Sequence, residues 1–451
     1  MGYKDLKSFL RKLDEQDELI KIGEEVNPKF EAAAVLKQVG QSENPAIVFQ
    51  NVTGYSFPVV GNLFGSRNRL ALALETTKDK LKEKYLEAKN RSLPPVMVQD
   101  APVKEVVIKD AVDIPALIPA LTHHRKDKNP YFTQAICFMK HPQTRTSTMG
   151  IHRMEVKGGN RLGIYLGSRT STEYLRIAEE RNESLDIAIV LGVDPGILLA
   201  AVAWYPYGDK IGLAGSLRGE PVELVRAETV DLEVPAQAVF VLEGKVLPHV
   251  REEEGPFGES TGNYATFSNP VIEISTITHQ KDAVYPAAVP WAIEDELQFS
   301  LAWGVETLRT LKQLYPAVID LNLISMMNAV ISMKKKDSAQ VREVLYLTLI
   351  SNQFIKKAVV VDQDIDIYNL REVEWSLATR FQPDRDLIVI PAVHGLPIDP
   401  SVLPGNITAK IGIDATKPEE GSHSFEKIDI PEEAVAKAGR LLKPYFRRTN
   451  P

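Results

Sequence analysis

The 451-residue chain holds a single cysteine, Cys137. No internal disulfide can form, and a reducing, cytoplasmic setting is the expectation. Surplus positive charge is missing as well: 53 Lys+Arg stand against 60 Asp+Glu, a formal charge of −7. A general nucleic-acid binder needs a net basic face to displace phosphate counterions, so none is expected here; a local basic pocket for one anion stays open. Membrane association is not expected either. The most apolar stretch, 185–204, is broken by Asp186, Asp194, Pro195 and Gly196 and reads as buried strand, turn and helix. The opening residues, MGYKDLKSFLRKLDEQ, are charged and amphipathic, unlike a signal peptide. HExxH, CxxC and EF-hand spacings are absent, as are a Walker loop and a dinucleotide fingerprint. His123-His124 is an isolated pair on a polar loop. Cys137 lies in an apolar run, where inert burial is the better reading than reactivity.

What remains is the make-up of a globular protein, 44% hydrophobic and 25% charged, long enough for about three domains. Leu6, Phe9, Leu10 and Leu13 share one helical face. Strand-like runs at 19–22, 46–49 and 59–60 alternate with a helical pattern after Pro28 and a charged helix at 78–90. These make residues 1–115 an expected small α/β domain. Residues 116–285 carry short β-rich runs (134–139, 163–166, 187–191, 239–242, 271–278) punctuated by Gly, Pro and Asp, which suggests a compact sheet or barrel. Residues 286–451 return to α/β texture, with a helix expected at 297–314. Near-continuous apolar strands follow at 358–361 and 387–390, and a last helix at 432–447 carries Ala434, Val435, Ala438, Leu441 and Leu442 on one side.

Three segments could carry chemistry. Glu254 and Glu259 flank the turn Gly255-Pro256-Phe257-Gly258, where glycine permits close backbone approach and proline fixes shape. Carboxylates so placed can work as acid and base if burial and a cation separate their pKa values; an EEE run by itself is more often a solvated loop. Arg153, just after Thr148-Met149-Gly150-Ile151-His152, offers a fixed fork of donors to a carboxylate or another anion. A surface strand arginine is the plainer reading, and His152 reads as structural. Asp209-Lys210-Ile211-Gly212-Leu213-Ala214-Gly215-Ser216-Leu217-Arg218-Gly219 is glycine-rich and basic, hence able to meet phosphate.

Together these segments resemble the UbiD family of decarboxylases, over essentially the whole chain. The matching pieces are Gly150-x-x-Arg153, Leu213-Ala214-Gly215-x-Leu217-Arg218-Gly219 and Glu254-Gly255-Pro256-Phe257-Gly258-Glu259-x-Thr261-Gly262. Asp362-x-Asp364-Ile365-Asp366 and Lys410-Ile411-Gly412-Ile413-Asp414-Ala415-Thr416 complete the set. The resemblance implies a reversible, non-oxidative decarboxylase using prenylated FMN supplied by a separate flavin prenyltransferase. It implies an N-terminal α/β domain, a central split β-barrel that holds the flavin, and a C-terminal α/β domain whose last helix helps build a homodimer or a hexamer of dimers. It places the family's Glu–Arg–Glu network on Glu254, Arg153 and Glu259, with Glu259 as proton donor. Cofactor contacts fall on Thr148, Gly150, Ile151, Arg153 and Lys210.

At one point the chain departs from the family. The flavin phosphate is usually bridged by a divalent metal (Mn) and a monovalent cation (K), held by Asn, His and Glu. Here Thr148 stands at the Asn position and Lys210 at the Glu position, and residues 168–172 contain no histidine. The lysine ammonium is therefore expected to replace the metal's charge, so no metal ligands are assigned. Trp291, Met327 and Asn328 are the expected substrate contacts. The aromatic and methionine content of 290–303 and 325–330 suits a flat aromatic or heteroaromatic acid. The alternatives are an α,β-unsaturated aliphatic acid and a non-catalytic subunit of a multi-protein carboxylase.

Overall fold

The computed structural model describes residues 2–446, except 42–43, 206–207, 420–424 and 426. The helix Leu6–Glu15 opens the fold because Asp5 caps it, its carboxylate accepting the Ser8 N–H at 2.7 Å. Leu6, Phe9 and Leu13 face inward, and Phe9 stacks on Phe64 at 5.7 Å. Beside them lies a sheet ordered Leu19–Val26, Ala46–Val52, Val59–Gly61 and Tyr285–Pro286. Its last strand comes from much later in the chain and ties the first region to the end of the central one.

The centre is a nine-stranded sheet whose spine is the long antiparallel pair Phe240–Gly258 and Tyr264–His279. Leu185–Leu191, Ile136–Lys140 and Ser147–Ile151 continue it on one side, Arg161–Ile164 and Met154–Gly158 on the other. The interruption expected after Leu191 is real: Asp194 accepts N–H bonds from Gly196 and Ile197 and so starts the buried helix Pro195–Val202. Lys210–Arg218, the glycine-rich segment, is a helix capped by Asp209.

A five-stranded sheet forms the C-terminal region, ordered Val318–Ser325, Asn328–Met333, Lys357–Asp362, Ile407–Asp414 and Leu387–His394. Val359, Val360 and Val361 are fully enclosed, the signature of a strand covered on both faces. Two of the recurring motifs work here as tethers. Arg380, fully buried, binds Asp362 at 3.0 Å and Asp364 at 2.8 Å, and Lys410 donates to the carbonyls of Leu349 and Asn352.

The fold is thus mixed α/β, a curled β-rich sheet flanked by α/β regions, as expected. Several element bounds shift. The helix expected from 297 begins at Ile293 and runs to Leu314, and the last helix is Glu432–Phe446, with Arg447 outside the described residues. All but Val239 of the run at 239–242, and the acidic segment at 251–258, belong to one strand of 19 residues. Among the described residues no helix is long and apolar enough to cross a membrane.

Candidate active site

Arg153 sits in the short link between the strands Ser147–Ile151 and Met154–Gly158, with its side chain turned inward. Glu254 and Glu259 come from the long strand Phe240–Gly258 and the residue after it. In an unbroken strand, residues five apart point to opposite faces. Here Glu254 pairs with Phe267 and Phe257 with Ala265, three steps on one strand against two on the other. That one-residue bulge inverts the alternation and delivers both carboxylates to the same side. Gly255 makes the bulge possible: its φ of +106° suits glycine alone, and a Cβ there would stand 2.6 Å from the Ala265 carbonyl oxygen. The expected turn is therefore a bulge inside a strand.

Arg153 Nη2 donates to Glu254 Oε2 at 3.1 Å and stands 2.9 Å from Glu259 Oε1. Asn269 Nδ2 also donates to Glu254 Oε2, at 2.8 Å, so a fully enclosed carboxylate has two donors. The guanidinium lies 4.2 Å from the Tyr165 ring centre and 5.3 Å from that of Phe257, an apolar setting that sharpens its charge. Burial pushes Glu259 up to about 7; Arg153 opposes the rise, while Glu254, Asp295 and Asp127 add to it. Asp295 is itself pushed up to about 6 by burial, with Ser260 and the Trp291 N–H opposing. Near neutral pH, Glu259 can both hold and release a proton.

These groups border a cavity of about 300 Å³. Arg153 and Glu259 line it, and Glu254, outside the lining, contacts Arg153. Part of the lining is cationic. Thr148, Gly150 and Ile151 supply it from one strand, Ser168 and Arg169 from the start of the helix Arg169–Glu180, and Lys210 from the helix Lys210–Arg218. Lys210 Nζ donates to the Ala201 carbonyl at 3.0 Å, and among the described residues no carboxylate lies within ion-pairing distance of it. Burial pushes its pKa down to about 8, with Lys89 adding to the fall, so it keeps its charge at neutral pH. Ser168 makes no side-chain cap bond, leaving a helix N-terminus open toward the cavity. His152 is a strut: its Nδ1 lies 3.1 Å from the Tyr165 carbonyl, and burial takes it down to about 4.

The cationic part fits an anion. A cation without a counter-ion, a hydroxyl and an open helix terminus form a phosphate cradle. It does not fit a divalent metal. Neither threonine nor lysine replaces a carboxylate or imidazole ligand, and among the described residues no group of three or more His, Cys, Asp or Glu could hold one.

Another part of the lining is aromatic and adjoins the cationic one, since Trp303 Nε1 donates to the Val202 carbonyl, next to the Ala201 carbonyl that Lys210 binds. Trp303 stacks on Phe354 at 4.6 Å, Phe299 and Trp204 close around them, and Met326 and Leu396 complete the wall. Of the three expected substrate contacts, none lines the cavity. Trp291 is 52% exposed, with the Lys37 ammonium 4.6 Å from its ring centre. Met327 shares the two-residue turn after Ser325 with Met326, Asn328 begins the next strand, and it is Met326 that lines the cavity. Tyr165, Asp295, Arg169 and Phe354 do line it and carried no motif. Phe299, Trp303 and Met326 do fall in the stretches 290–303 and 325–330, whose aromatic and methionine content points to the wall.

Three family profiles match in order: the 3-octaprenyl-4-hydroxybenzoate carboxy-lyase N-terminal domain at residues 10–89, its Rift-related domain at 96–292 and its C-terminal domain at 301–415. An anhydromevalonate phosphate decarboxylase of Methanothermobacter thermautotrophicus is 33% identical, covering 95% of this chain and 100% of its own. A phenolic acid decarboxylase of Bacillus subtilis is 31% identical over 96% of this chain and 97% of its own. The UbiD-class enzyme HmfF of Pelotomaculum thermopropionicum, solved in complex with FMN, superposes with a TM-score of 0.92 at 36% identity, covering 97% of this chain and 99% of that one. An evolved dimeric form of it, with prFMN, gives 0.87 at the same identity over 96% and 98%.

Proposed function

The chain belongs to the UbiD family of carboxy-lyases, and on that premise we propose that Arg153, Glu254 and Glu259 carry out reversible, non-oxidative decarboxylation of an aromatic or heteroaromatic acid with prenylated FMN. The observation that carries the reading is the buried contact of one guanidinium with two carboxylates beside a cavity whose lining includes both cationic and aromatic side chains.

Thr148, the backbone at Gly150 and Ile151, and Lys210 would hold the flavin, with Lys210 and Arg169 facing its phosphate in place of a metal ion. Bound there, prenylated FMN supplies an electrophilic ring and an electron sink for the pair left when CO2 departs. The protein's part is placement and proton handling. Arg153 balances the charge of the entering carboxylate, and Glu254 holds Arg153 in register. Glu259 donates from its carboxyl Oε the proton that replaces CO2, and takes it back in the carboxylation direction. Trp303, Phe299 and Phe354 grip a flat ring and exclude water; no basic side chain among them would read a second carboxylate.

Val435, Leu441 and Leu442, exposed on the helix Glu432–Phe446, support assembly with further copies of the chain. Supply of the cofactor by a flavin prenyltransferase belongs to the same reading. Co-expression with that enzyme and anoxic purification should give stoichiometric prenylated FMN by mass and turnover of a flat aromatic monocarboxylate. A loaded enzyme that turned over only a phosphorylated aliphatic acid would shift the substrate class. One inert toward every acid would favour the non-catalytic subunit.

A further inference from the structure

Glu259 owes its position to the bulge, and the bulge is held from outside its own hairpin. The loop between Thr122 and Tyr131 lies along it. Lys128 donates its N–H to the Pro256 carbonyl at 3.1 Å, and the Tyr131 ring packs 4.1 Å from that of Phe257. Gly258 passes so near His124 that a Cβ on it would stand 2.4 Å from the His124 Nδ1. At the centre is Asp127, its side chain wholly enclosed. Its Oδ1 accepts the N–H of Gly258 at 2.9 Å, and its Oδ2 accepts the N–H groups of His124 at 2.8 Å and His123 at 3.1 Å.

We propose that Asp127 is a positioning residue for the reaction, clamping the backbone beside Glu259 so that its carboxyl meets Arg153. The proposal rests on the reading of Glu259 as proton donor. Three amide donors converging on one buried carboxylate satisfy what would otherwise be orphaned N–H groups, and one of them belongs to the residue next to Glu259. Burial pushes Asp127 up, while those donors and His124 oppose the rise. Its charge also bears on Glu259. That carboxyl is faced by Arg153, by Glu254 from its own strand, by Asp295 from the helix Ile293–Leu314 and by Asp127. Asp127 is faced by His123 and His124, with Lys37 beyond His124. Losing this negative neighbour lowers the pH at which Glu259 gives up its proton.

The test is Asp127→Asn in the cofactor-loaded enzyme. The amide keeps the shape but turns an NH2 toward backbone donors. Expected are a kcat lower by about tenfold or more, because small misplacements of a proton donor are expensive, with KM and flavin content unchanged. The alkaline limb of kcat should move to lower pH by about half a unit, and amide exchange should quicken in residues 255–262. A kcat within twofold of wild type, with limb and exchange unmoved, would overturn the proposal. Glu259→Gln separates the two readings. If that variant stays active, the donor assignment falls whatever Asp127 does; if it is dead and Asp127→Asn is normal, only the clamp falls. Asp127→Ser is the second variant. Failure of both to fold or take up flavin would also overturn a role confined to positioning.

Discussion

The lining of the cavity holds two cations withdrawn from water, and the two are treated in opposite ways. Arg153 faces two carboxylates, Glu254 and Glu259, and Asp295 and Asp127 stand nearby. Lys210 faces a single carbonyl and, among the described residues, no carboxylate within ion-pairing distance. Around Arg153, burial first and the negative neighbours after it raise Glu259 to about 7, so one carboxyl keeps its proton near neutrality and becomes a donor. Around Lys210 positive charge is in excess, and the counter-ion must arrive with a ligand. A proton store and an anion cradle therefore arise from the same rule, that a buried charge needs a partner, applied with opposite imbalance.

Substituting the two cations separates their settings most sharply, and the signs should differ. Arg153→Leu strands the enclosed Glu254 carboxylate; urea unfolding of the apo-protein should show a loss of about 3–5 kcal/mol, and turnover should vanish. Lys210→Met removes a charge that the apo-protein does not pair, so apo stability should hold or rise. Flavin retention, measured by titration with FMN, should weaken by roughly ten- to a hundredfold, as for a charged hydrogen bond lost to phosphate. A stability loss at Lys210 equal to that at Arg153 would mean both cations are structural. The mildest effect is in pH. Glu259 acts as donor in its protonated form, which disappears as pH rises through about 7. Decarboxylation kcat should be flat below that value and fall about tenfold per unit above it.

The same contrast marks what was legible in the sequence. The acidic cluster was readable because its residues lie in one short segment with an arginine in another. Glu254, Arg153 and Glu259 do meet, and Thr148, Gly150, Ile151 and Lys210 share the cavity with them. How they meet was hidden. The parity change that puts Glu254 and Glu259 on one face depends on register against Phe267 and Ala265, eight and more residues away. The aromatic wall was legible only in composition. Trp303 and Phe299 lie on the cavity, whereas Trp291, at a positive φ, is exposed, Met327 packs against the cluster of Met326, Phe354 and Leu396 without lining the cavity, and Asn328 begins a strand outside the lining. Asp127 carried no pattern at all, because its partners are backbone amides. The fold class was plain from alternating texture, whereas the strand Tyr285–Pro286 joining the first sheet was not.

The most direct measurement is single-turnover decarboxylation by Glu259→Gln, purified anoxically with its flavin and compared with wild type at pH 6.5, a value chosen below the about 7 of Glu259. The expected result is a loss of about a thousandfold or more with flavin content and substrate affinity retained, the scale for removing a general acid. A loss of less than tenfold would contradict the assignment of the proton to Glu259 and send the search for the donor to Asp295.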